Sequence, residues 1–145
     1  MQVAAERVGS QGRVVGIDLV PMEPLAQLHA STLVGDLSDP SIVAAVRERL
    51  GRPADVVLSD AAPKLSGVRA RDEAQCESLA GAVLEAALKL LAPGGALVMK
   101  TFMSAGLDGI RKRLRPSFHR VQLVRPASSR AASSECYVVA LDYQR

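Results

Sequence analysis

Short aliphatic runs alternating with stretches of helical spacing constrain this chain more than any single residue does. Six runs read as strands: Arg13–Asp18, Thr32–Gly35, Asp55–Ser59, Ala96–Phe102, Phe118–Arg125 and Glu135–Leu141. All fall far short of the roughly 20 apolar residues that cross a bilayer. Between them, residues 2–9, 41–50, 72–91 and 107–115 carry helical signals. The clearest is Asp72–Leu91, where Leu79, Val83, Leu84, Ala87, Leu88 and Leu91 recur at helical spacing before Pro93-Gly94-Gly95 stops the pattern. Asp39-Pro40-Ser41 opens another helix, because an early helical position has no intrahelical use for the N–H that proline lacks. This alternation predicts an α/β fold with helices on both faces of a mostly parallel sheet. The last two runs are joined by a loop alone. Parallel strands need a crossover of about a dozen residues or more, so this pair is expected to be an antiparallel hairpin.

At 145 residues the chain is expected to be a single domain, 1–145, with a real core. That core is aliphatic: 48% of residues are hydrophobic, only 3% are aromatic, and there is no Trp. So few rings argue against recognition by rows of stacking platforms. The amino terminus has no apolar signal core, and a cytoplasmic location with no membrane partner is expected. Cys76 and Cys136 read as small buried hydrophobes in a reducing compartment. His29 and His119 stand apart, without metal-ligand spacing, so no metal is expected. Charge is uneven: residues 1–100 hold 10 Lys/Arg against 12 Asp/Glu, and residues 101–145 hold 8 against 3. The excess includes Arg111, Lys112, Arg113, Arg115, Arg120, Arg125 and Arg130. It reads either as a solvated helix face or as a phosphate-contacting surface.

In open α/β sheets ligands bind beyond the carboxyl ends of the strands, so the residues standing there matter most. Asp18 ends the first run, Asp36 follows the second, Asp60 follows the third, and Lys100 lies near the end of the fourth. Asp18 suits a carboxylate that accepts two hydrogen bonds from a ribose diol, or an ordinary strand-end acid. Asp36 fits contact with an adenine amino group or the capping of the following helix. Lys100 closes a strand apolar enough to be central, so its amine is expected to be partly desolvated near Asp60 and Glu135, a setting in which lysine can act as a base.

Four segments then resemble the FtsJ/RrmJ family of ribosomal RNA ribose 2′-O-methyltransferases, in order and at matching spacing: GRVVGIDLVPMEPL (12–25), SDAAPKLSG (59–67), LAPGGALVMKTF (91–102) and RPASSRAASSECYVVA (125–140). The resemblance implies a Rossmann-like class I methyltransferase sheet with an antiparallel carboxyl-terminal hairpin. It also implies S-adenosyl-L-methionine as cofactor, ribosomal RNA or the large ribosomal subunit as partner, and a monomer when full length. The family's Lys-Asp-Lys-Glu tetrad carries over as Asp60, Lys100 and Glu135. Lys100 would accept or orient the 2′-hydroxyl, and Asp18, Asp36 and Asp60 would bind the donor. Arg111, Arg113, Arg125, Ser129 and Arg130, with Ser128, Ser133 and Ser134, are candidates for contact with RNA. Amino-group methylating enzymes tend to carry an aromatic ring in the loop after the acid, to stack a flipped base. Here Asp60 precedes Ala61-Ala62-Pro63-Lys64, which favours oxygen as the target.

The family's first strand, its Gly-rich loop and its first catalytic Lys have no counterpart in these residues. The resemblance puts that strand between those ending at Asp18 and Asp60. Losing it would strip ladder partners from both, at about 1–3 kcal/mol per unsatisfied buried group against a total stability of about 5–15. The 145 residues alone are therefore expected to be poorly stable and inactive. Two competing readings are a non-catalytic RNA-binding or ribosome-assembly protein, and a nicotinamide dehydrogenase whose ribose would use Asp18. The second gives the SDAAP loop no purpose.

Overall fold

The computed structural model describes residues 1–64, 66–103, 106–126 and 135–144. The chain divides into two compact units, Met1–Pro53 and Ala54–Arg145.

The first unit runs α1 (Gln2–Val8), β1 (Val14–Asp18), β2 (Ala30–Val34) and α2 (Pro40–Leu50). Strands β1 and β2 pair in parallel, with Val14 opposite Ala30 and Asp18 opposite Val34. Helix α2 begins as its sequence dictates: the Asp39 carboxylate accepts from the Ser41 N–H at 2.8 Å, and Pro40 follows. It ends at Gly51, whose φ of 72° is the left-handed conformation that glycine adopts without strain. Arg13 donates to the Arg49 and Leu50 carbonyls at 3.3 Å each, supplying partners to the last turn. Burial is thin, and the buried apolar side chains are Ala5, Val43 and Val46.

The second unit runs β3 (Ala54–Ser59), α3 (Arg69–Leu90), β4 (Leu91–Phe102), α4 (Leu107–Leu114), β5 (Phe118–Val124) and β6 (Glu135–Tyr143). Its sheet has the order β3-β4-β6-β5, with β3 parallel to β4 and β6 antiparallel to both its neighbours. The expected terminal hairpin is present, and β6 inserts between β4 and β5. Strand β4 starts five residues earlier than the sequence implies. Its pairing jumps from Ala54–Leu91 to Val56–Ala96, so Pro93-Gly94-Gly95 forms an irregularity inside the strand rather than a turn before it. Proline cannot donate to a ladder, and Gly94 has a φ of 80°, so a bulge is where these residues fit.

Alternation along β4 and β6 separates two faces. Leu97, Met99 and Thr101, with Cys136, Val138 and Ala140, point to a fully buried face. Helix α3 brings Ala80, Val83, Leu84 and Ala87 to the core. Phe118 and Tyr143 pack ring to ring at 5.4 Å, and the Tyr143 hydroxyl donates to the Leu88 carbonyl at 3.1 Å. The other face is open. Val56 and Leu58 on β3 are 52% and 61% exposed, and Val98 and Val139 are half-buried.

Among the described residues, β1 pairs only with β2 and β3 only with β4. Cys136 is buried as expected, whereas Cys76 is half-buried. Burial raises the ionisation point of both thiols, keeping them protonated.

Candidate functional site

The open face of the second unit becomes polar at one end. Lys100 and Tyr137 are register partners across β4 and β6, so their side chains share a face. Phe102 and Glu135 form the next such pair, two residues further along each strand. Asp60 follows β3 and reaches the same group. Its Oδ1 lies 3.1 Å from the Lys100 Nζ and accepts from the Tyr137 hydroxyl, also at 3.1 Å. The Lys100 side chain is 13% exposed and that of Asp60 is 76% exposed. A sequestered lysine thus meets an accessible carboxylate at the end of an apolar sheet face.

Tyr137 was not singled out by the sequence reading. Its signal was available: it lies two residues after Glu135, and alternation puts both on one strand face. The hydrogen bond to Asp60 raises the ionisation point of its phenol, with burial and the charges of Asp60 and Glu135 acting in the same direction. Tyr137 is therefore a protonated donor at neutral pH. Glu135 is exposed at the start of β6.

The loop after Asp60 is fastened at its far end. Asp72, in the first turn of α3, accepts from the Ser66 N–H and Oγ at 2.7 Å each and from the Gly67 N–H at 3.0 Å. These bonds, led by the Ser66 backbone, hold the Asp72 carboxyl below its ordinary value.

In the first unit, Asp18 and Asp36 sit at the carboxyl ends of two paired strands. Each turns back onto its own backbone: Asp18 Oδ1 accepts from the Val20 N–H at 3.0 Å, and Asp36 Oδ1 accepts from the Ser38 N–H at 2.8 Å and the Ser38 Oγ at 2.7 Å. The Ser38 hydroxyl, then its backbone N–H, lowers the ionisation point of Asp36. Each acid leaves its second oxygen without a partner among the described residues. Asp36 does not cap α2; Asp39 does.

The basic candidates separate. Arg111 is 3.2 Å from Asp108, and Arg113 is 3.9 Å from Glu85. Both lie on α4, which packs against α3 and β5 through Leu107, Ile110 and Leu114. Arg125 is exposed and engaged, just beyond β5. Ser128, Ser129, Arg130, Ser133 and Ser134 lie outside the described residues. No cluster of His, Cys, Asp and Glu able to hold a metal occurs among the described residues.

The profile of the FtsJ-like methyltransferase family matches residues 1–143. The ribosomal RNA large subunit methyltransferase E of Acidithiobacillus ferrooxidans is 42% identical over 143 residues, covering 99% of this chain and 64% of that protein. The protein of the same name from Myxococcus xanthus is 40% identical, covering 97% and 66%. The chain thus spans a little under two thirds of the length of these relatives. Among solved structures, a ribosomal RNA methyltransferase from Plasmodium falciparum superposes with a TM-score of 0.85 at 21% identity, covering 98% of this chain and 79% of that one. A methyltransferase from Streptococcus mutans, in complex with SAH, gives 0.52 at 13% identity, covering 89% and 71%. At such identities these two likenesses show the fold.

Proposed function

We propose that this chain, which belongs to the FtsJ-like methyltransferase family, carries the site for S-adenosylmethionine-dependent methylation of a ribose 2′-hydroxyl in large-subunit ribosomal RNA. Family membership removes the nicotinamide dehydrogenase reading. The observation that carries the proposal is the Asp60 carboxylate joining the sequestered Lys100 ammonium to the Tyr137 hydroxyl. A 2′-hydroxyl is a weak nucleophile, so a catalyst must hold it in line and manage its proton. Lys100 Nζ is the group to orient the hydroxyl as an ammonium, or to accept its proton as the neutral amine; Asp60 Oδ1 fixes the position of Nζ, and Glu135 stands on the same face two residues from Tyr137.

The residues present fit the donor in part. Asp18 and Asp36 each offer one carboxylate oxygen already oriented by a backbone turn and a second with no partner among the described residues. That suits acceptance from a ribose diol by Asp18 and from an adenine amino group by Asp36. Asp60, in the second unit, is the third acid that the family resemblance assigns to donor binding. When bound, the donor supplies an electrophilic methyl on a sulfonium. Oxygen rather than exocyclic nitrogen is favoured as the acceptor because residues 61–64 offer no ring to stack a flipped base.

Residues 1–145 read as part of one methyltransferase domain that, at full length, acts as a monomer in the cytoplasm on ribosomal RNA or the large subunit. No helix among the described residues is long and apolar enough to cross a membrane. Arg125 and Arg130 lie nearer in sequence to β6 than Arg111 and Arg113 do, and RNA contact is assigned first to them. Methyl transfer from labelled donor to large-subunit RNA, compared between wild type and Lys100→Ala, tests the proposal. Transfer that survives the substitution would sink it.

A further inference from the structure

Four aromatic rings occur in this chain. Phe118 and Tyr143 serve the core of the second unit. Phe102 and Tyr137 lie half-buried on the open face, on either side of the Lys100–Glu135 diagonal. The Tyr137 ring would pack on β6 equally well as phenylalanine. Its hydroxyl has a different use, since it donates to a carboxylate 77 residues away in sequence. Asp60 is mostly exposed, so burial does not fix its rotamer. What fixes it are two cross-strand donors that meet on the same oxygen, Oδ1.

We infer that Tyr137 is a positioning residue that holds the Asp60 carboxylate in the orientation that grips Lys100. With the hydroxyl in place, one carboxylate oxygen is shared between the phenol and the ammonium, and the second stays turned outward. Without it, Asp60 is free to rotate about its side-chain torsions, and Lys100 loses a fixed counter-charge. A carboxylate bonded by two donors from different strands has far fewer orientations to sample than one bonded by a single flexible lysine. Misplacing a reacting group by about 1 Å can cost on the order of a hundredfold in rate. The inference rests on the reading of Asp60 and Lys100 as the reacting pair, but its geometric core does not depend on methyl transfer.

Two nuclear magnetic resonance experiments on the full chain, and one kinetic comparison, test it. With tyrosine labelled at the phenolic carbon, the two tyrosines give two resonances. The one lost in Tyr137→Phe should ionise at higher pH than a free tyrosine, and Asp60→Ala should bring it down. The Lys100 ammonium signal, assigned with Lys100→Arg, should shift or broaden in Tyr137→Phe while the three other lysines stay unchanged. In methyl transfer, Tyr137→Phe should lower kcat about tenfold with KM for donor and RNA altered less than twofold, the pattern of a lost transition-state contact. A Tyr137 resonance indifferent to Asp60→Ala, or a Lys100 signal indifferent to Tyr137→Phe, overturns the inference. Coupled signals in a protein that transfers no methyl group support the positioning role and remove the proposed reaction instead.

Discussion

The two units of this chain are built to different standards. The second has a four-stranded sheet with one face sealed by α3, and Leu97, Met99, Leu114 and Val138 are its largest fully buried side chains. The first has two paired strands in which only Gly16 is buried, and three buried apolar side chains in all. Yet each unit ends its strands in carboxylates. In the first, Asp18 and Asp36 are shaped by local turns within two residues of themselves. In the second, Asp60 is shaped by partners 40 and 77 positions away. Local turns suffice to present an acid to a ligand that brings its own hydroxyls. Orienting an acid through partners on two other strands needs the frame of a packed sheet.

The largest effect expected is on the rate. Lys100→Ala should reduce methyl transfer by about a hundredfold or more, the scale of a lost proton-handling group. Asp18→Ala should instead raise the KM for the donor and leave kcat within a few-fold. Equal effects on kcat from both would erase the distinction between the units. Next is stability. Leu97→Ala should cost about 2–5 kcal/mol, as for a leucine deleted from a tight core. Val46→Ala should cost only about 1–2 kcal/mol, from two methyl groups at roughly 0.8 each. Denaturant unfolding of both variants checks this order.

Third, hydrogen exchange should divide the chain. Amides of β4 and β6, paired on both sides, should be the slowest, and those of β1 and β2 should exchange orders of magnitude faster. Uniform protection across both units would break the comparison. Smallest is the response to acid. Asp36 and Asp72 are both held below the ordinary carboxylate value, Asp36 by the Ser38 hydroxyl and backbone and Asp72 by the Ser66 backbone and hydroxyl. A depressed carboxylate adds stability that is present above its unfolded value and is lost as pH falls through the folded one. Each turn should therefore loosen only below about the ordinary value of 3.8. Asp36→Asn and Asp72→Asn should each remove that dependence in their own unit alone, as followed by amide shifts of Ser38 and Ser66.

Much of this was legible in the residues. Strand ends at Asp18 and Asp60, the helix opened by Asp39-Pro40-Ser41, the helix ending before Pro93 and the terminal hairpin follow from periodicity and turn chemistry, which are local. The early start of β4 was not, because Pro93-Gly94-Gly95 reads as a stop in sequence, and only pairing with β3 reveals it as a bulge. The Asp60–Lys100 pairing was legible as a shared sheet edge. The Tyr137 contribution was hidden, since register across β4 and β6 decides which side chains meet, and register is a property of two strands rather than one. The basic residues were legible as charge but not as partners: Asp108 and Glu85 engage Arg111 and Arg113 through helix packing that charge counts do not show.

The central claim is tested most directly by asking where the methyl group goes. Large-subunit RNA, incubated with the full-length protein that carries these residues and with donor labelled in its methyl, is digested to nucleosides and separated. The account predicts label in a 2′-O-methyl nucleoside, lost in Lys100→Ala while the variant keeps the wild-type melting transition. Label on a base, or on ribose undiminished by Lys100→Ala, would contradict it.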